Sequence, residues 1–448
     1  MKDFLSKILP KNWRDAWLYF LILVACFPLI YLALDQKVNY MILNFCGLII
    51  FCIIGIFQIV NIIIKRKKIS AFKNPAIIFL CLMFLWLFVG SFFAFNKDAT
   101  WMGLYNGRYS EDSIWQYVFY FAVAIAAFNL KKENLSYLMS IFITIACVII
   151  VIQFGEKDFA YGFINRNHTG YYLCMTGMLS VGMFLFSKKF VPTILLFLAT
   201  ALHFVSLVLN GSFGPVLGII AFFVIGLIYI LIHKRVVAFR FVSALVCFIA
   251  IFSFFDFVPK VRDLREEETT TISKLYGMGM VVLNKIGIVS DETYESSDIA
   301  PGSDGYGRLR MWKRATHNMV ERPLFGTGVG SWKSYNPDMP SIKPHNDFLQ
   351  YGATGGIPTL IFYLATIIYL FVDFRRKHKN ISGTTFALMC AIFVYLVQSI
   401  FGNVMPFTAP VFYILMGMAM KEISENKCQP KTINVALEKN KETENKIS

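Results

Sequence analysis

The sequence predicts an all-α polytopic membrane protein with about twelve transmembrane helices and one large external loop. Of its 448 residues, 56% are hydrophobic, whereas soluble domains are usually about 45–50% apolar. The apolar residues also gather into runs of about 20, the length that an α-helix needs to cross a bilayer. We count twelve such runs, the last of them short: 16–34, 41–64, 74–95, 114–130, 135–153, 170–187, 190–209, 213–232, 238–256, 346–372, 383–402 and 408–420.

Clusters of basic residues between these runs predict the orientation of the chain. They follow every second run, and positive charge is enriched in the short cytoplasmic loops of membrane proteins. We therefore expect a multi-pass protein of the cytoplasmic (inner) membrane with both termini in the cytoplasm. The clusters are Lys65–Lys68, Lys131–Lys132, Lys188–Lys189, His233–Arg235 and Arg375–Lys377.

The same alternation divides the chain into four parts. Residues 1–256 are predicted to form spans one to nine, and 257–345 an external loop. Residues 346–420 are predicted to form spans ten to twelve, and 421–448 a polar cytoplasmic tail. A loop of roughly 90 residues is far longer than an ordinary connection, and such loops are usually functional or disordered. We therefore look for functional residues in this loop first.

Charge and cysteine placement exclude several classes of function. The net charge is +15, but its clusters lie between apolar runs, which indicates topology rather than nucleic-acid binding. Eight of the nine cysteines lie inside apolar runs, and Cys428 lies in the polar tail. The external loop contains no cysteine, and no cluster of His, Cys or acidic ligands stands outside the runs. We therefore expect neither a disulfide framework nor a metal site, and the sequence implies no cofactor.

Positive charge on the predicted external face is the exception to the alternation. Guanidinium groups bind phosphate through paired hydrogen bonds and keep their charge at any relevant pH. A shared anionic ligand at the outer bilayer surface explains Arg108, Arg166 and Arg308. The alternative, pairing with external carboxylates or with lipid phosphates, is the one we favour for Arg310 and Arg322. The external arginines are Arg108, Arg166, Arg308, Arg310, Arg314 and Arg322.

His345 is the candidate general base. It lies between Pro344 and Asn346, where the external loop re-enters the membrane at the depth of a lipid-linked headgroup. An ordinary histidine pKa of about 6.5 leaves the ring mostly neutral near pH 7, so the ring can accept a proton. By contrast, His203 lies inside an apolar run, and we expect it to pack there.

A helix is predicted over 307–321, just before this histidine. Trp312, Ala315 and Met319 fall on one stripe at helical spacing, and Pro323 ends the helix. The following segment, 326–330, reads Gly-Thr-Gly-Val-Gly and superficially resembles a nucleotide-binding loop. It follows no strand and opens no helix, so a tight turn is the better interpretation.

These residues favour a transfer reaction on a lipid-linked diphosphate. Such a donor already carries a good leaving group, so the reaction needs a base for the acceptor hydroxyl and fixed positive charge for the departing diphosphate. One histidine and several arginines supply both. A transporter or flippase is the alternative from another class, although the apolar runs contain almost none of the ionisable residues that transport sites use. A peptidoglycan-type polymerase of related architecture is a third interpretation.

Several motifs are similar to those of a known family. Asn106–Tyr109 and Phe163–His168 match two of its elements, and the external loop supplies three more. These three are Gly307-Arg308-Leu309 followed by Trp312, then Arg322–Gly326 followed by Gly328, then His345-Asn346 followed by Leu349-Gln350. Together they resemble the O-antigen ligase and polymerase family across most of the chain.

The resemblance implies a metal-independent, inverting membrane glycosyltransferase. Such an enzyme takes a glycan from undecaprenyl diphosphate and joins it to a lipid or saccharide acceptor on the outer side of the cytoplasmic membrane. The resemblance also implies that His345 is the base and that Arg166 and Arg308 hold the diphosphate. The residues expected to contact the substrates are Arg108, Trp312, Arg314 and Asn346. Ligase and polymerase differ only in the acceptor, and both remain open here.

The chain departs from the family pattern in two places. It has Ser212-Phe213 where many members have Ser-Arg, so one expected cation is missing. It has Ala353-Thr354-Gly355 where many members have Glu-X-Gly, which bears on how the acceptor is positioned.

Overall fold

The structure, a computed structural model, describes residues 13–34, 40–65, 74–105, 108–109, 112–163, 165–233, 237–257, 304–377 and 382–425. Within these ranges the chain is helical apart from connecting segments and one short hairpin, in which β1 (Leu104–Tyr105) pairs antiparallel with β2 (Arg108–Tyr109). The helices are α1 (Trp13–Ala25), α2 (Phe27–Ala33), α3 (Tyr40–Lys65), α4 (Pro75–Ser91), α5 (Lys97–Met102), α6 (Ile114–Phe128), α7 (Lys132–Glu156), α8 (Arg166–Phe186), α9 (Phe190–Asn210), α10 (Phe213–His233), α11 (Ala238–Phe257), α12 (Asp304–Glu321), α13 (Trp332–Tyr335), α14 (Asp347–Arg376), α15 (Gly383–Ser399) and α16 (Ala409–Glu425).

The all-helical membrane architecture is confirmed, but the number of spans is not. Each predicted apolar run contains a helix, or in the first run the bent pair α1 and α2. Among the described residues, six helices are long and apolar enough to cross a membrane, or seven if the pair bent by 47° counts as one span. Further apolar helices of 10–17 residues, such as α4 and α6, fall short of a hydrocarbon core about 30 Å thick, because a helix rises about 1.5 Å per residue.

Polar side chains at the ends of the apolar runs fix where several helices begin. In each case the side chain accepts a hydrogen bond from a backbone N–H of the first turn, which an α-helix leaves without a partner. These capping residues are Asn74 (α4), Asn96 (α5), Asn165 (α8), Asn346 (α14) and Ser382 (α15). The caps therefore set the register of the first turns of α8 and α14, next to two of the candidate site residues.

Small residues allow α8 to pack tightly inside the bundle. A Cβ at Gly182 would lie 2.4 Å from the Cα of Ala387, so the backbones of α8 and α15 touch. A similar approach joins Gly417 of α16 to the carbonyl oxygen of Ala124 in α6, 2.2 Å from where a Cβ would lie. Close backbone approach at small residues is a common way for helices to associate in membranes.

One end of the bundle carries residues that the sequence places in the cytoplasm. Lys131, before α7, pairs with Asp15 at the start of α1, at 2.9 Å. Lys132 pairs with the buried carboxylate of Glu422 near the end of α16, at 3.3 Å. These ion pairs tie the starts of α1 and α7 to the end of α16.

Candidate active site

Segments that the sequence places outside the membrane come together at the other end of the bundle. The backbone N–H of Phe95 donates to the carbonyl oxygen of Thr327 at 2.9 Å, and the hydroxyl of Thr100 donates to that of Val329 at 2.6 Å. The backbone N–H of Val404 donates to the side chain of Gln350 at 3.2 Å. Hydrogen bonds therefore join three stretches of chain that are far apart in sequence.

The helix predicted over 307–321 is confirmed as α12, which ends at Glu321, before Pro323. Its predicted apolar stripe faces inward, since Ala315 and Met319 are buried and Trp312 is half-buried. A Cβ at Gly352 of α14 would lie 2.6 Å from the Met319 sulfur, which shows how closely α12 lies on α14.

His345 lies immediately before the first turn of α14 and is held on both its backbone and its ring. Its φ of 54° is in the left-handed region, which a residue with a Cβ rarely adopts unless its surroundings hold it there. Its backbone N–H donates to Asn403 Oδ1 at 2.7 Å, and its carbonyl oxygen accepts from Trp312 Nε1 at 3.2 Å. Ring Nδ1 lies 3.3 Å from Asn403 Nδ2, and ring Nε2 lies 3.0 Å from Ser341 Oγ. The half-buried imidazole therefore has a defined orientation.

Two residues that are predicted to contact substrate, Asn346 and Trp312, form hydrogen bonds within the protein at this site. Asn346 caps α14, its Oδ1 accepting from the backbone N–H of Leu349 at 2.9 Å. Trp312 fixes the carbonyl of His345, and its ring lies 6.1 Å from that of Phe401. Both residues therefore position His345, and a direct contact with substrate remains a prediction.

A buried ion pair lies two residues before His345. Lys343 Nζ lies 3.1 Å from Asp112 Oδ1, and both side chains are less than a tenth exposed. Lys343 also donates to the carbonyl oxygen of Val404 at 2.8 Å. Gln350 Nε2 lies 3.2 Å from both Asp112 Oδ2 and the hydroxyl of Tyr117. This network attaches the segment before α14, the end of the predicted external loop, to α6, α14 and the segment after α15.

The segment between α15 and α16, residues 400–408, contacts several of the candidate residues. Asn403 binds His345, as described above. Gly402 lies against the Tyr171 ring of α8, and a Cβ there would lie 1.1 Å from the Tyr171 hydroxyl. The ring of Phe407 lies 4.9 Å from that of His168. The segment therefore connects the first turns of α8 to His345.

The Arg322–Gly328 segment, which we call the wedge loop (residues 322–328), fills a break in α14. The break lies at Gly356, with φ 82° and ψ 169°, just before Pro358. The N–H groups of Thr327 and Gly328 donate to the carbonyl oxygens of Ala353 and Thr354, both at 2.9 Å. Backbone groups left without helical partners are costly in an apolar setting, so the wedge loop stabilises the broken helix.

The tight turn predicted for 326–330 is confirmed. Gly326, Gly328 and Gly330 all have positive φ, a conformation that costs glycine little. A Cβ at Gly328 would also lie 2.4 Å from the Cβ of Ala94. The glycines therefore serve close backbone packing.

Arg308 lies near α8, the helix that carries Arg166. Arg308 of α12 is half-buried and interacts electrostatically with Tyr171. Arg166 is exposed in the first turn of α8, five residues before Tyr171, or about 7.5 Å along the helix axis. Arg108 lies in β2, but its side chain is outside the described part of the structure.

The other arginines that are predicted to be external have protein partners. Arg310 lies 3.4 Å from Asp338, the carboxylate pairing that we favour for it. Arg314 donates to Asn336, and Arg322 donates to the carbonyl oxygen of Phe93 at 2.9 Å. Both guanidinium groups lie 5.9 Å from the centre of the Tyr335 ring. Burial, and after it the hydrogen bond to a neighbouring glutamate, raises the pKa of Tyr335, so its hydroxyl remains a donor.

Two other histidines differ from His345 in their surroundings. His203 is buried within α9, as predicted, with its ring nitrogens 2.7 Å from the carbonyl oxygen of Ala199 and 3.1 Å from the hydroxyl of Thr176. His317 is exposed on α12 and lies 2.9 Å from Glu321.

Comparison with known families agrees with the resemblance stated above. Residues 195–364 match a family model described as O-antigen ligase. The match covers 170 of the 448 residues, and this part of the chain is similar to an O-antigen ligase domain. The similarity suggests a glycosyltransferase-like enzyme of the O-antigen ligase or polymerase type. The matched segment contains Arg308, the wedge loop and His345, whereas Arg108, Arg166 and Asn403 lie outside it. No curated protein matches the chain.

Sequence reasoning misses three residues of this site: Asp112, Lys343 and Asn403. Asp112 and Lys343 are 231 positions apart, and Asn403 is 58 positions from His345. The sequence offers only weak signals for these three residues. Asp112 and Lys343 are charged residues next to apolar runs, and Asn403 follows Gly402 between the last two runs.

Proposed function

We propose that this protein is a glycosyltransferase that moves a glycan from undecaprenyl diphosphate to an acceptor hydroxyl at the outer face of the cytoplasmic membrane. It would act as an O-antigen ligase or as a polysaccharide polymerase. The match of residues 195–364 to the O-antigen ligase family supports the class of reaction. The observation that carries the mechanism is His345, whose imidazole is held by Asn403 and Ser341 at the polar end of an otherwise apolar bundle.

In the proposed reaction, His345 accepts the proton of the acceptor hydroxyl while the acceptor oxygen bonds to the anomeric carbon of the glycan. The bond from that carbon to the phosphate oxygen breaks, and its electron pair leaves with undecaprenyl diphosphate. A single displacement of this kind inverts the anomeric configuration. The imidazolium then loses its proton to water, which restores the base.

Arg308 and Arg166 are the proposed partners of the departing diphosphate. Fixed positive charge is most useful where negative charge develops in the transition state, and no metal is needed for this role. Arg166 also stands in the first turn of α8, where the N-terminal end of a helix favours an anion. The interaction of Arg308 with Tyr171, and the packing of Tyr171 on Gly402, support placing both arginines near His345. Arg108 is proposed as a further contact to the donor.

The proposed orientation puts this site on the outer side of the membrane. The ion pairs of Asp15, Lys131, Lys132 and Glu422 belong to the opposite end of the bundle and would face the cytoplasm, with both termini. The parts 1–256 and 346–420 would form the membrane bundle, and 257–345 the external loop; residues 258–303 and 426–448 lie outside the described residues.

A broken helix is also typical of transporters, where half-helices surround a substrate near the middle of the membrane. In α14 the break is occupied by the chain itself, since the Ile357 N–H donates to the carbonyl oxygen of Pro323 at 2.8 Å. A Cβ at Gly356 would lie 2.1 Å from the carbonyl oxygen of Leu324. This packing favours a structural role for the break over a transport site.

Glycan transfer by purified protein tests the base. His345→Ala is expected to lower the rate by about 10²–10⁴-fold, because a positioned general base contributes about that much. His317→Ala is the matched control, since this exposed histidine lies on α12 and pairs with Glu321. Near wild-type transfer by His345→Ala, with donor and acceptor both required for product, would falsify the assignment of the base.

A second pair of variants tests whether Arg308 binds the departing diphosphate. Arg308→Ala is expected to lower kcat/KM for the lipid donor by about 10²–10³-fold, the usual cost of losing one donor to developing negative charge. Arg310→Ala, two residues away and exposed beside Asp338, should stay within a few-fold of wild type. Equal effects of the two variants would show that Arg308 does not bind the diphosphate.

The length of the glycans that accumulate in cells without this protein distinguishes a polymerase from a ligase. A polymerase joins one lipid-linked repeat to another, so cells without it accumulate single repeats. A ligase acts on finished chains, so cells without it accumulate long chains on the carrier.

A further inference from the structure

The orientation of the Asn403 side chain determines which nitrogen of His345 carries a proton. Asn403 is buried between α15 and α16, where Gly402 packs on Tyr171 and Val404 binds Gln350. Its amide faces His345 twice: Oδ1 lies 2.7 Å from the backbone nitrogen, and Nδ2 lies 3.3 Å from ring Nδ1.

The backbone contact leaves only one orientation for this amide. A backbone N–H can only donate, so the atom that faces it must be the amide oxygen. The amide nitrogen, which is also only a donor, therefore faces the ring. In a neutral imidazole one nitrogen donates and the other accepts. Since Asn403 donates, Nδ1 must be the accepting nitrogen, and the ring proton must be on Nε2.

Ser341 completes the arrangement on the other side of the ring. Its Oγ lies 3.0 Å from Nε2, within the usual range for a hydrogen bond. A hydroxyl can accept as well as donate, so Ser341 is able to accept the Nε2 proton in a hydrogen bond. This contact is compatible with both the neutral ring and the imidazolium, because Nε2 carries a proton in each.

We propose that Asn403 and Ser341 are positioning residues that hold His345 in the Nε2-protonated form, which makes Nδ1 the atom that removes the acceptor proton. That the proton comes from an acceptor hydroxyl rests on the proposed function. The Asn403 amide would mark the place of the acceptor hydroxyl, because both groups donate a hydrogen bond to Nδ1. The 3.3 Å contact is longer than most N–H donor contacts, so little is lost when the hydroxyl replaces it.

The proton balance of the step follows directly. The acceptor O–H proton moves to Nδ1 as the acceptor oxygen bonds to the anomeric carbon and the phosphate oxygen leaves with its electron pair. The imidazolium formed in this way keeps its Nε2 proton in the hydrogen bond to Ser341 Oγ. Nδ1 later gives its proton to water, and the Asn403 amide resumes its contact.

The tautomer is measured directly by NMR of the full-length protein labelled with ¹⁵N-histidine, without any substrate. The chain has six histidines, and the His345 signals are those absent from His345→Gln. The spectra are recorded at a pH high enough that the ¹⁵N shifts of His345 no longer change with pH, so that the neutral ring is observed. We expect the wild-type ¹⁵N shifts of His345 to be those of the Nε2-protonated tautomer.

The variant Asn403→Asp tests whether the Asn403 amide sets the tautomer of His345. Its carboxylate keeps the shape of the amide and accepts from the backbone N–H, but it cannot donate to Nδ1. The ring proton should therefore move to Nδ1, and glycan transfer should fall by about 10²-fold. The matched control is Asn336→Asp, a buried asparagine of the same region that contacts Arg314 and Trp332. It should leave the His345 tautomer as in wild type.

Two results would overturn the proposal: an Nδ1-protonated ring in the wild type, or one tautomer shared by wild type and Asn403→Asp. A tautomer change in Asn336→Asp would also overturn it, because the effect would then not belong to Asn403. These readings are independent of catalysis. An inactive protein with the expected tautomers would count against the proposed function and not against the positioning of the ring.

Discussion

Lys343 is two residues from His345, and its charge is buried against Asp112. Removing two charges from water is costly, and their attraction restores stability only when both partners are present. A pair of this kind therefore adds little net stability compared with apolar side chains, but it penalises any arrangement in which its partners separate. Just before α14, this dependence favours a single position for the segment that carries the histidine.

Lys343→Met should destabilise the protein by about 3–5 kcal/mol, because Asp112 then stays buried without its ammonium partner. Thermal unfolding in detergent measures the change. Lys313→Met is the matched control: Lys313 is exposed on α12, and surface substitutions usually change stability by less than about 0.5 kcal/mol.

The double variant Lys343→Met/Asp112→Leu distinguishes an ion pair from two independent contacts. With both charges removed, most of the lost stability should return, and the two changes should not add. Strictly additive losses would show that the pair does not act as a unit.

Residue chemistry predicts part of this site and misses the rest for a physical reason. Histidine and arginine in segments predicted to lie outside the membrane are visible in the sequence because arginine is unusual in external loops. Asn403 and Asp112 are not visible, since each acts through a contact with a residue far away along the chain. Their roles depend on how the helices pack, which composition and spacing do not encode.

At the scale of elements, α14 shows both the success and the limit of sequence patterns. Its apolar run predicts a helix over 346–372, and the structure has one from Asp347 to Arg376. The break at Gly356 is not predicted, because its cause lies in the wedge loop that enters it. α12, by contrast, was predicted correctly, since its stripe and its terminating proline are both local.

Gly356→Ala tests this interpretation of the break. The added Cβ would lie 2.1 Å from the carbonyl oxygen of Leu324, at a backbone φ of 82°. We expect a loss of about 1–3 kcal/mol from the strained backbone alone, with a displaced wedge loop and reduced glycan transfer. Limited proteolysis near Phe325 reports the displacement.

The control is Gly55→Ala in α3, where nothing lies within 4 Å of the added Cβ. It should be neutral or slightly stabilising, because alanine favours helix more than glycine does. If Gly356→Ala behaved like Gly55→Ala, the wedge loop would not depend on the break.

At the scale of the whole molecule, the two ends of the bundle differ in chemistry. One end contains the ion pairs of Asp15 and Glu422 with lysines before α7. The other contains the candidate site and the hydrogen bonds between 92–113, 322–350 and 400–408. The alternation of basic clusters predicts this separation, although the number of spans is left open by the shorter helices.

Cysteine accessibility tests the orientation. In a variant whose nine native cysteines are replaced, Thr316→Cys on α12 should react with a membrane-impermeant maleimide added outside intact cells. Ser424→Cys near the end of α16 should react only after the membrane is opened. Both positions are exposed, so reversed labelling would place the site in the cytoplasm.

We propose that arginines from separate parts of the chain meet a histidine around a lipid-linked diphosphate. A cryo-EM structure of the full chain with an undecaprenyl diphosphate-linked glycan bound tests this arrangement. We predict that Arg166 and Arg308 contact the diphosphate oxygens and that the anomeric carbon faces His345. A diphosphate bound away from both arginines, or on the side of Lys131 and Glu422, would show that the arginines do not hold the donor.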